Sequence, residues 1–222
     1  MEINNYIDHT LLAPQAKIAD IEKLCNEAAQ YKFFAVCVNP YYVNLAHKLL
    51  AGSKVNIATV VGFPLGANLT EIKVQETKMA IDQGATEIDM VINVGALKDG
   101  DLDYVIYDIS SVVKAAGGAL VKVIIECDLL TQEDKINACL ACIKGQAHMV
   151  KTSTGFVKTG VGATVEDIML IKQQIKGTKL GIKASAGIRS FEQTKKLIDA
   201  GADRIGTSSS INIVNEALAQ KK

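Results

Sequence analysis

The sequence has no excess of charge of either sign. Its 24 basic and 24 acidic residues cancel to a formal net charge of zero. That argues against general affinity for nucleic acid or for an anionic membrane. It has no run of 18 apolar residues, so no transmembrane helix is expected. The opening MEINNYIDHT lacks both the basic and the apolar segment of a secretory signal, and the expectation is a cytoplasmic protein. Only three prolines and no low-complexity stretch leave nothing that reads as a linker, so residues 1–222 are expected to form one domain. The five cysteines make no zinc pattern. Cys139 and Cys142 lie in a helical stretch with no second pair and no nearby histidine, and the three histidines (His9, His47, His148) are scattered. The cysteines are expected to be free thiols, and no metal is expected. Gly160-Val-Gly162 lacks the third glycine of a dinucleotide loop and stands several residues from any strand. The sequon Asn68-Leu-Thr70 carries no meaning in a cytoplasmic chain.

What remains is an apolar chain, 49% hydrophobic and long enough for one large α/β domain. Short β-branched runs alternate with helical patterns. The strands expected are YIDHT (6–10), FFAVCV (33–38), NIATVV (56–61), EIDMVIN (87–93), LVKVIIE (120–126), HMVK (148–151), KLGIK (179–183) and DRIGT (203–207). Helical patterns fill the gaps, among them Thr70 to Asp82, Leu102 to Ala115 and Ser190 to Ala200. Thr131 with Asp134, Thr164 with Asp167, and Ser190 with Gln193 have the spacing that satisfies free N–H groups at a helix start. Pro14 suits the first turn of the first helix, and Gly84 and Gly201 fall where a helix ends. Eight strand–helix units suggest a (β/α)8 TIM barrel. An open doubly wound sheet with fewer strands is the alternative.

Side chains alternate faces along a strand. Ile88, Met90 and Ile92 share one face, and Asp89 and Asn93 the other. Val121, Val123 and Ile125 oppose Lys122 and Glu126. In a barrel the consistently apolar face meets the surrounding helices, so the polar set points inward. The same parity sends in Asp8, Cys37, Lys151 and Lys183. Most of these sit near the C-terminal strand ends, where barrel enzymes keep their sites. A purely structural network, the three lysines pairing with Asp8, Asp89 and Glu126, would explain them too. Buried charges cost several kcal/mol each unless well paired, and clusters that bear such costs favour functional sites.

Two inward lysines beside a carboxylate suit imine chemistry. An amine attacks a carbonyl only when neutral, and a free lysine is neutral at pH 7 in about one molecule in 2,500. Burial and a second ammonium both lower its pKa. A carboxylate nearby can move protons on and off the adduct.

The blocks TEIDMVINVGALK (86–98), LVKVIIE (120–126), MVKTSTGF (149–156), LGIKASAGIRS (180–190) and RIGTSS (204–209) resemble the deoxyribose-phosphate aldolases, a class I, Schiff-base-forming family. The resemblance runs from YIDHTLL almost to the end of the chain and implies a (β/α)8 barrel. It implies reversible cleavage of 2-deoxy-D-ribose 5-phosphate to D-glyceraldehyde 3-phosphate and acetaldehyde, with no cofactor and no metal. It also implies roles. Lys151 would form the Schiff base, Lys183 would perturb it and shuttle protons, and Asp89 would be their acid/base partner. Asp8 and Lys122 would support the substrate hydroxyls. Cys37 would lie near the pocket, where a small buried hydrophobe serves as well as a catalytic thiol.

The partners implied are a phosphorylated sugar and aldehydes; the sequence does not show the oligomeric state, and a homodimer would be compatible with it. Barrels often hold phosphate after strands seven and eight, at a helix N-terminus. Here that points to Gly187, Ser208 and Ser209, although Gly and Ser also make ordinary turns. Two departures stand out. Many members have a glycine pair where this chain has Ala186–Gly187, a change of small cost if the alanine φ is negative. Some members end in a tyrosine, whereas this chain ends ALAQKK. Two other readings keep the barrel: a non-catalytic sugar-phosphate-binding protein, and a class I aldolase for another phosphorylated sugar.

Overall fold

The computed structural model describes residues 2–220; Met1 and the last two lysines of ALAQKK, Lys221 and Lys222, lie outside the described residues. Eight parallel strands close into a barrel: β1 (Ile7–Leu11), β2 (Ala35–Val38), β3 (Asn56–Val61), β4 (Glu87–Val91), β5 (Leu120–Ile124), β6 (Met149–Lys151), β7 (Gly181–Ser185) and β8 (Arg204–Thr207). Each strand pairs with the next, and β1 closes on β8 through Ile7 with Ile205, Asp8 with Gly206, and His9 with Thr207. The open-sheet alternative is thereby excluded. The helices outside are α1 (Ile18–Tyr31), α2 (Val43–Leu49), α3 (Thr70–Asp82), α4 (Val94–Lys98), α5 (Leu102–Ala115), α6 (Gln132–Lys144), α7 (Val165–Gln174), α8 (Phe191–Ala200) and α9 (Ser210–Ala219). Among the described residues no helix is long and apolar enough to cross a membrane.

The main core is the shell between barrel and helices. Ile88, Met90 and Ile92 point into it, as do Val121, Val123 and Ile125, all fully buried. Removing each such side chain from water contributes about 1.5–3 kcal/mol. The strands expected at 87–93 and 120–126 run two residues shorter at their C-terminal ends. Asn93 turns out to cap α4, its side chain accepting from the Ala96 N–H, and Glu126 adopts φ 60°, outside extended backbone.

Helix starts follow the capping chemistry. Thr131 and Asp134 form a reciprocal box at α6, Thr164 accepts from Asp167 N–H at α7, and Ser190 accepts from Gln193 N–H at α8. Gly201 follows α8 with φ 124°, and Gly84 follows α3 with φ 106°. Pro14 is not in the first turn of α1. It sits in a turn four residues upstream, and α1 starts instead where the Asp20 carboxylate accepts from Lys17 N–H at 2.8 Å.

One packing feature runs against ordinary amphipathicity. The buried face of α3 is polar (Thr70, Lys73, Thr77), while Ile72 and Met79 are exposed. Lys73 Nζ lies 2.5 Å from Asp108 Oδ2 on α5 and donates to Val91 O at 3.0 Å; Asp108 Oδ1 accepts from Thr70 Oγ1 at 2.8 Å. This fully buried pair ties α3 to α5 and to the end of β4. One turn on, Glu76 Oε2 accepts from Gly62 N–H at 2.7 Å, which fixes the loop that carries Phe63 to the barrel mouth. Replacing one partner of a buried pair strands the other charge. Asp108→Ala is therefore expected to lower the unfolding free energy by about 3–5 kcal/mol in urea titrations. The double variant Lys73→Met, Asp108→Leu is expected to recover most of that loss.

Candidate active site

The barrel interior is divided by chemistry. Strands β2 and β3 send in Cys37, Ala58 and Val60, which cluster with Leu12 and Phe63. The other strands send in charge. Lys151 at the end of β6 donates to Asp89 Oδ2 on β4 at 2.7 Å, and Lys183 on β7 donates to the same oxygen at 2.8 Å. Lys122 on β5 donates to Asp89 Oδ1 at 2.7 Å. Three lysine amines from three strands thus share one carboxylate. The strand register brings them together: Asp89 is level with Lys122, and Lys151 with Lys183.

Electrostatics separates the lysines. Burial pushes the Lys151 ammonium below the ordinary lysine range; Asp89 opposes this and Lys183 adds to it. Burial would lower Lys183 as well, but Asp8 and Asp89 outweigh it and hold its pKa above the ordinary range. The carboxyls resist burial in the same manner. Lys122, Lys151 and Lys183 hold Asp89 well below the usual carboxylate range, and Lys183, Lys122 and Arg204 lower Asp8. Burial raises the Cys37 thiol, which stays protonated. The arrangement therefore contains one amine biased toward neutrality, a fixed cation beside it and a fixed anion between them.

Lys151 is the lysine that reaches solvent space. It lines an open cleft of about 450 Å³ at the C-terminal strand ends, with Ser153, Thr154, Phe156, Ser185, Gly187, Arg189, Thr207 and Ser208. Gly187 and Ser208 thus meet it across one cavity, whereas Ser209, half-buried at the start of α9, gives its N–H to Thr207 Oγ1 and does not line the cleft. Asp8 and Lys122 lie fully buried beneath the cleft floor, away from its walls. Asp8 spans Lys183 at 2.5 Å and Arg204 at 2.7 Å.

The loops around the mouth are held by specific contacts. Glu126 does not join the lysines. Its carboxylate accepts from Thr154 N–H at 3.1 Å and from the Thr154 hydroxyl, and so clamps the KTST turn. The loop containing Gly160 and Gly162 cradles no ligand through its amides, because Val161 and Gly162 N–H donate to Asp128. This loop presses on the next, backbone to backbone. A Cβ on Gly162 would lie 2.4 Å from Ala186 O, and one on Gly187 would lie 2.7 Å from Val161 O. Both glycines have positive φ, and so does Ala186, at 73°. The condition for a small cost, a negative φ at Ala186, is not met; the loop keeps the left-handed backbone of a glycine pair although one member carries a methyl.

Five contributors were not found from the sequence. Glu87 shares the parity of Asp89 two residues earlier, and Arg204 shares that of Gly206, so alternation alone could have found both. Arg189, exposed at the cleft edge, was readable only as a loop residue. Phe63 and Phe156 meet edge to face with ring centroids 5.1 Å apart, a contact between distant loops with no local signal. The discounted groups have structural places: His9 bonds Ser210 and Glu27, His148 accepts from Val121 N–H, and Cys139 and Cys142 are buried in α6.

Comparison with known proteins agrees with this geometry. A family model described as DeoC/LacD family aldolase matches residues 3–215. A deoxyribose-phosphate aldolase of Bdellovibrio bacteriovorus is 56% identical over 220 residues, covering 99% of each chain. One of Thermococcus gammatolerans is 57% identical over 221 residues, covering 98% of this chain and 97% of that one. The solved tetrameric deoxyribose phosphate aldolase of Aeropyrum pernix superposes with a TM-score of 0.91 at 32% identity, covering 98% of this chain and 92% of that one.

A non-glycine residue in the left-handed region costs about 1–2 kcal/mol, partly offset in a glycine variant by the greater freedom of the unfolded chain. Ala186→Gly is expected to raise the unfolding free energy by about 0.5 kcal/mol. A fall in the urea midpoint would mean the alanine methyl contributes packing that outweighs its strain.

Proposed function

This chain belongs to the DeoC/LacD aldolase family, and we propose that Lys151 is the amine through which it reversibly cleaves 2-deoxy-D-ribose 5-phosphate to D-glyceraldehyde 3-phosphate and acetaldehyde. The observation that carries the reading is the shared carboxylate. Lys151 and Lys183 both lie on Asp89 Oδ2, and of the two only Lys151 opens on the cleft.

The chemistry follows from the charges. Neutral Lys151 Nζ attacks C1 of the open-chain sugar, and loss of water gives a protonated imine. The iminium draws electrons from the C2–C3 bond as the C3 hydroxyl loses its proton; the bond breaks and glyceraldehyde 3-phosphate leaves. The enamine on Lys151 takes a proton at carbon, and water releases acetaldehyde. Asp89, ionised within hydrogen-bond reach of Lys151, orients the amine and stabilises the iminium by its charge. Lys183, held protonated beside it, disfavours a second positive charge at Lys151; the proton shuttling implied for this pair would work against the charges that hold both groups ionised.

The two loops pressed together at Gly162 and Gly187, with Arg189, Ser208 and the start of α9, suit the phosphate. They offer a cation, a hydroxyl and the positive end of a helix on one side of the cleft. Ser209, which does not line the cleft and spends its N–H on Thr207, is left out of this phosphate site. Asp8 and Lys122 act from below, through Lys183 and Asp89, and not on the substrate hydroxyls directly. We read the chain as a single catalytic barrel acting in the cytoplasm as a homo-oligomer, a homodimer at the smallest. The tetramer of the A. pernix relative supports self-association.

Reduction with borohydride in acetaldehyde tests the reading. The expected result is one ethyl group on Lys151, found by peptide mass, with loss of activity. Lys151→Leu should take up none, and Lys183→Leu should slow cleavage about 10²–10⁴-fold. A sugar-phosphate-binding protein without catalysis would gain no mass. An aldolase for another sugar would be trapped equally but would prefer a different aldehyde in a substrate panel.

A further inference from the structure

Below Asp89 the charges form a closed circuit. Lys183 Nζ is 2.8 Å from Asp89 Oδ2 and 2.5 Å from Asp8 Oδ2. Asp8 Oδ1 is 2.7 Å from Arg204 Nη2, which is 2.7 Å from Glu87 Oε2. Glu87 Oε2 is 2.5 Å from Lys122 Nζ, and Lys122 returns to Asp89 Oδ1 at 2.7 Å. Three formal anions alternate with three formal cations, so the ring is neutral as a whole. Lys151 stands outside it, attached only through Asp89. Phe34 covers the far end of the ring, its centroid 3.5 Å from the Arg204 guanidinium carbon.

The geometry points to Arg204 and Glu87 as positioning residues that, by completing a charge-neutral ring on the side remote from substrate, leave Lys151 no net negative field beyond its share of Asp89 and so favour its neutral form for imine formation. The inference rests on the Schiff-base reading above. Around Lys151 stand Asp89 from β4, Lys183 from β7, the neutral Cys37 thiol from β2 and, beyond Thr154, Glu126 after β5. Strands β1, β5 and β8 bring Asp8, Lys122 and Arg204, while β3 brings only Ala58 and Val60. Every charge below Asp89 is thus matched within the ring. Removing one changes the field at Lys151 through a buried, poorly screened path.

The sign of the effect is what separates this role from a merely structural one. Glu87→Gln leaves the ring one positive charge in excess, which favours neutral Lys151 and moves its titration to lower pH. Arg204→Gln leaves one negative charge in excess, which favours the ammonium and moves the titration to higher pH. The readout is the pH dependence of acetaldehyde adduct formation at Lys151, trapped with cyanoborohydride and quantified by mass. Circular dichroism checks folding.

We expect midpoint shifts of opposite sign, each on the order of one pH unit. The double variant Glu87→Gln, Arg204→Gln should return close to the wild-type midpoint, and Arg204→Lys should stay near it. Should Arg204→Gln fail to fold, the near-isosteric Glu87→Gln decides alone: an acid shift supports the role and an unmoved midpoint overturns it. Shifts of the same sign in both single variants would also overturn it, since general loosening has no sign preference. A wild-type protein that forms no adduct would remove the Schiff-base reading first, and a wild-type adduct with unmoved variant midpoints would remove this inference alone.

Discussion

The Asp89 carboxylate, shared among three lysine amines inside a barrel, is the interaction on which the rest of the site depends. A carboxylate buried this deeply is tolerable only because Lys122, Lys151 and Lys183 surround it. Those lysines are in turn tolerable only with further anions, which Asp8 and Glu87 supply. Arg204 then balances both. Each charge requires the next, and the chain of requirement closes on itself with one amine left over. That amine faces the cleft.

The fold makes such an arrangement buildable. Parallel strands in register bring one side chain from each of several strands to a common height, and the main apolar core lies outside the barrel, between strands and helices. The interior is therefore free to carry charge on one side and the apolar group of Cys37, Ala58 and Val60 on the other. The same division separates tasks at the mouth: charged and glycine-rich loops on the β6–β8 side, an aromatic pair from the loops after β3 and β6 near the apolar side.

Much of this was legible in the residues. The alternation in EIDMV and LVKVI placed Asp89 and Lys122 on the inner face because strand geometry is periodic and the outer face had to be apolar. The bounds of α3 and α5 were readable from local pattern. What escaped detection depended on distant partners. Lys73 looks like a surface lysine on α3 until Asp108 arrives from α5. Glu126 looks like the last inward residue of a strand until a left-handed φ turns it toward Thr154. Ala186 has a residue type that favours negative φ, and the loop packing against Val161 and Gly162 overrides that preference. Glu87 and Arg204 obeyed the same parity as the residues that were found. They lie at strand starts, away from the C-terminal strand ends where barrel sites gather.

The central claim is that one lysine among the barrel's interior cations is neutral under working conditions. NMR titration of the protein with isotope-labelled lysine side chains measures this directly, with Lys151→Leu assigning the signal. The account predicts that the Lys151 signal titrates well below the surface lysines, which change near about pH 10.4, while the Lys183 signal stays charged past that point. A Lys151 signal that titrates together with the surface lysines would contradict it.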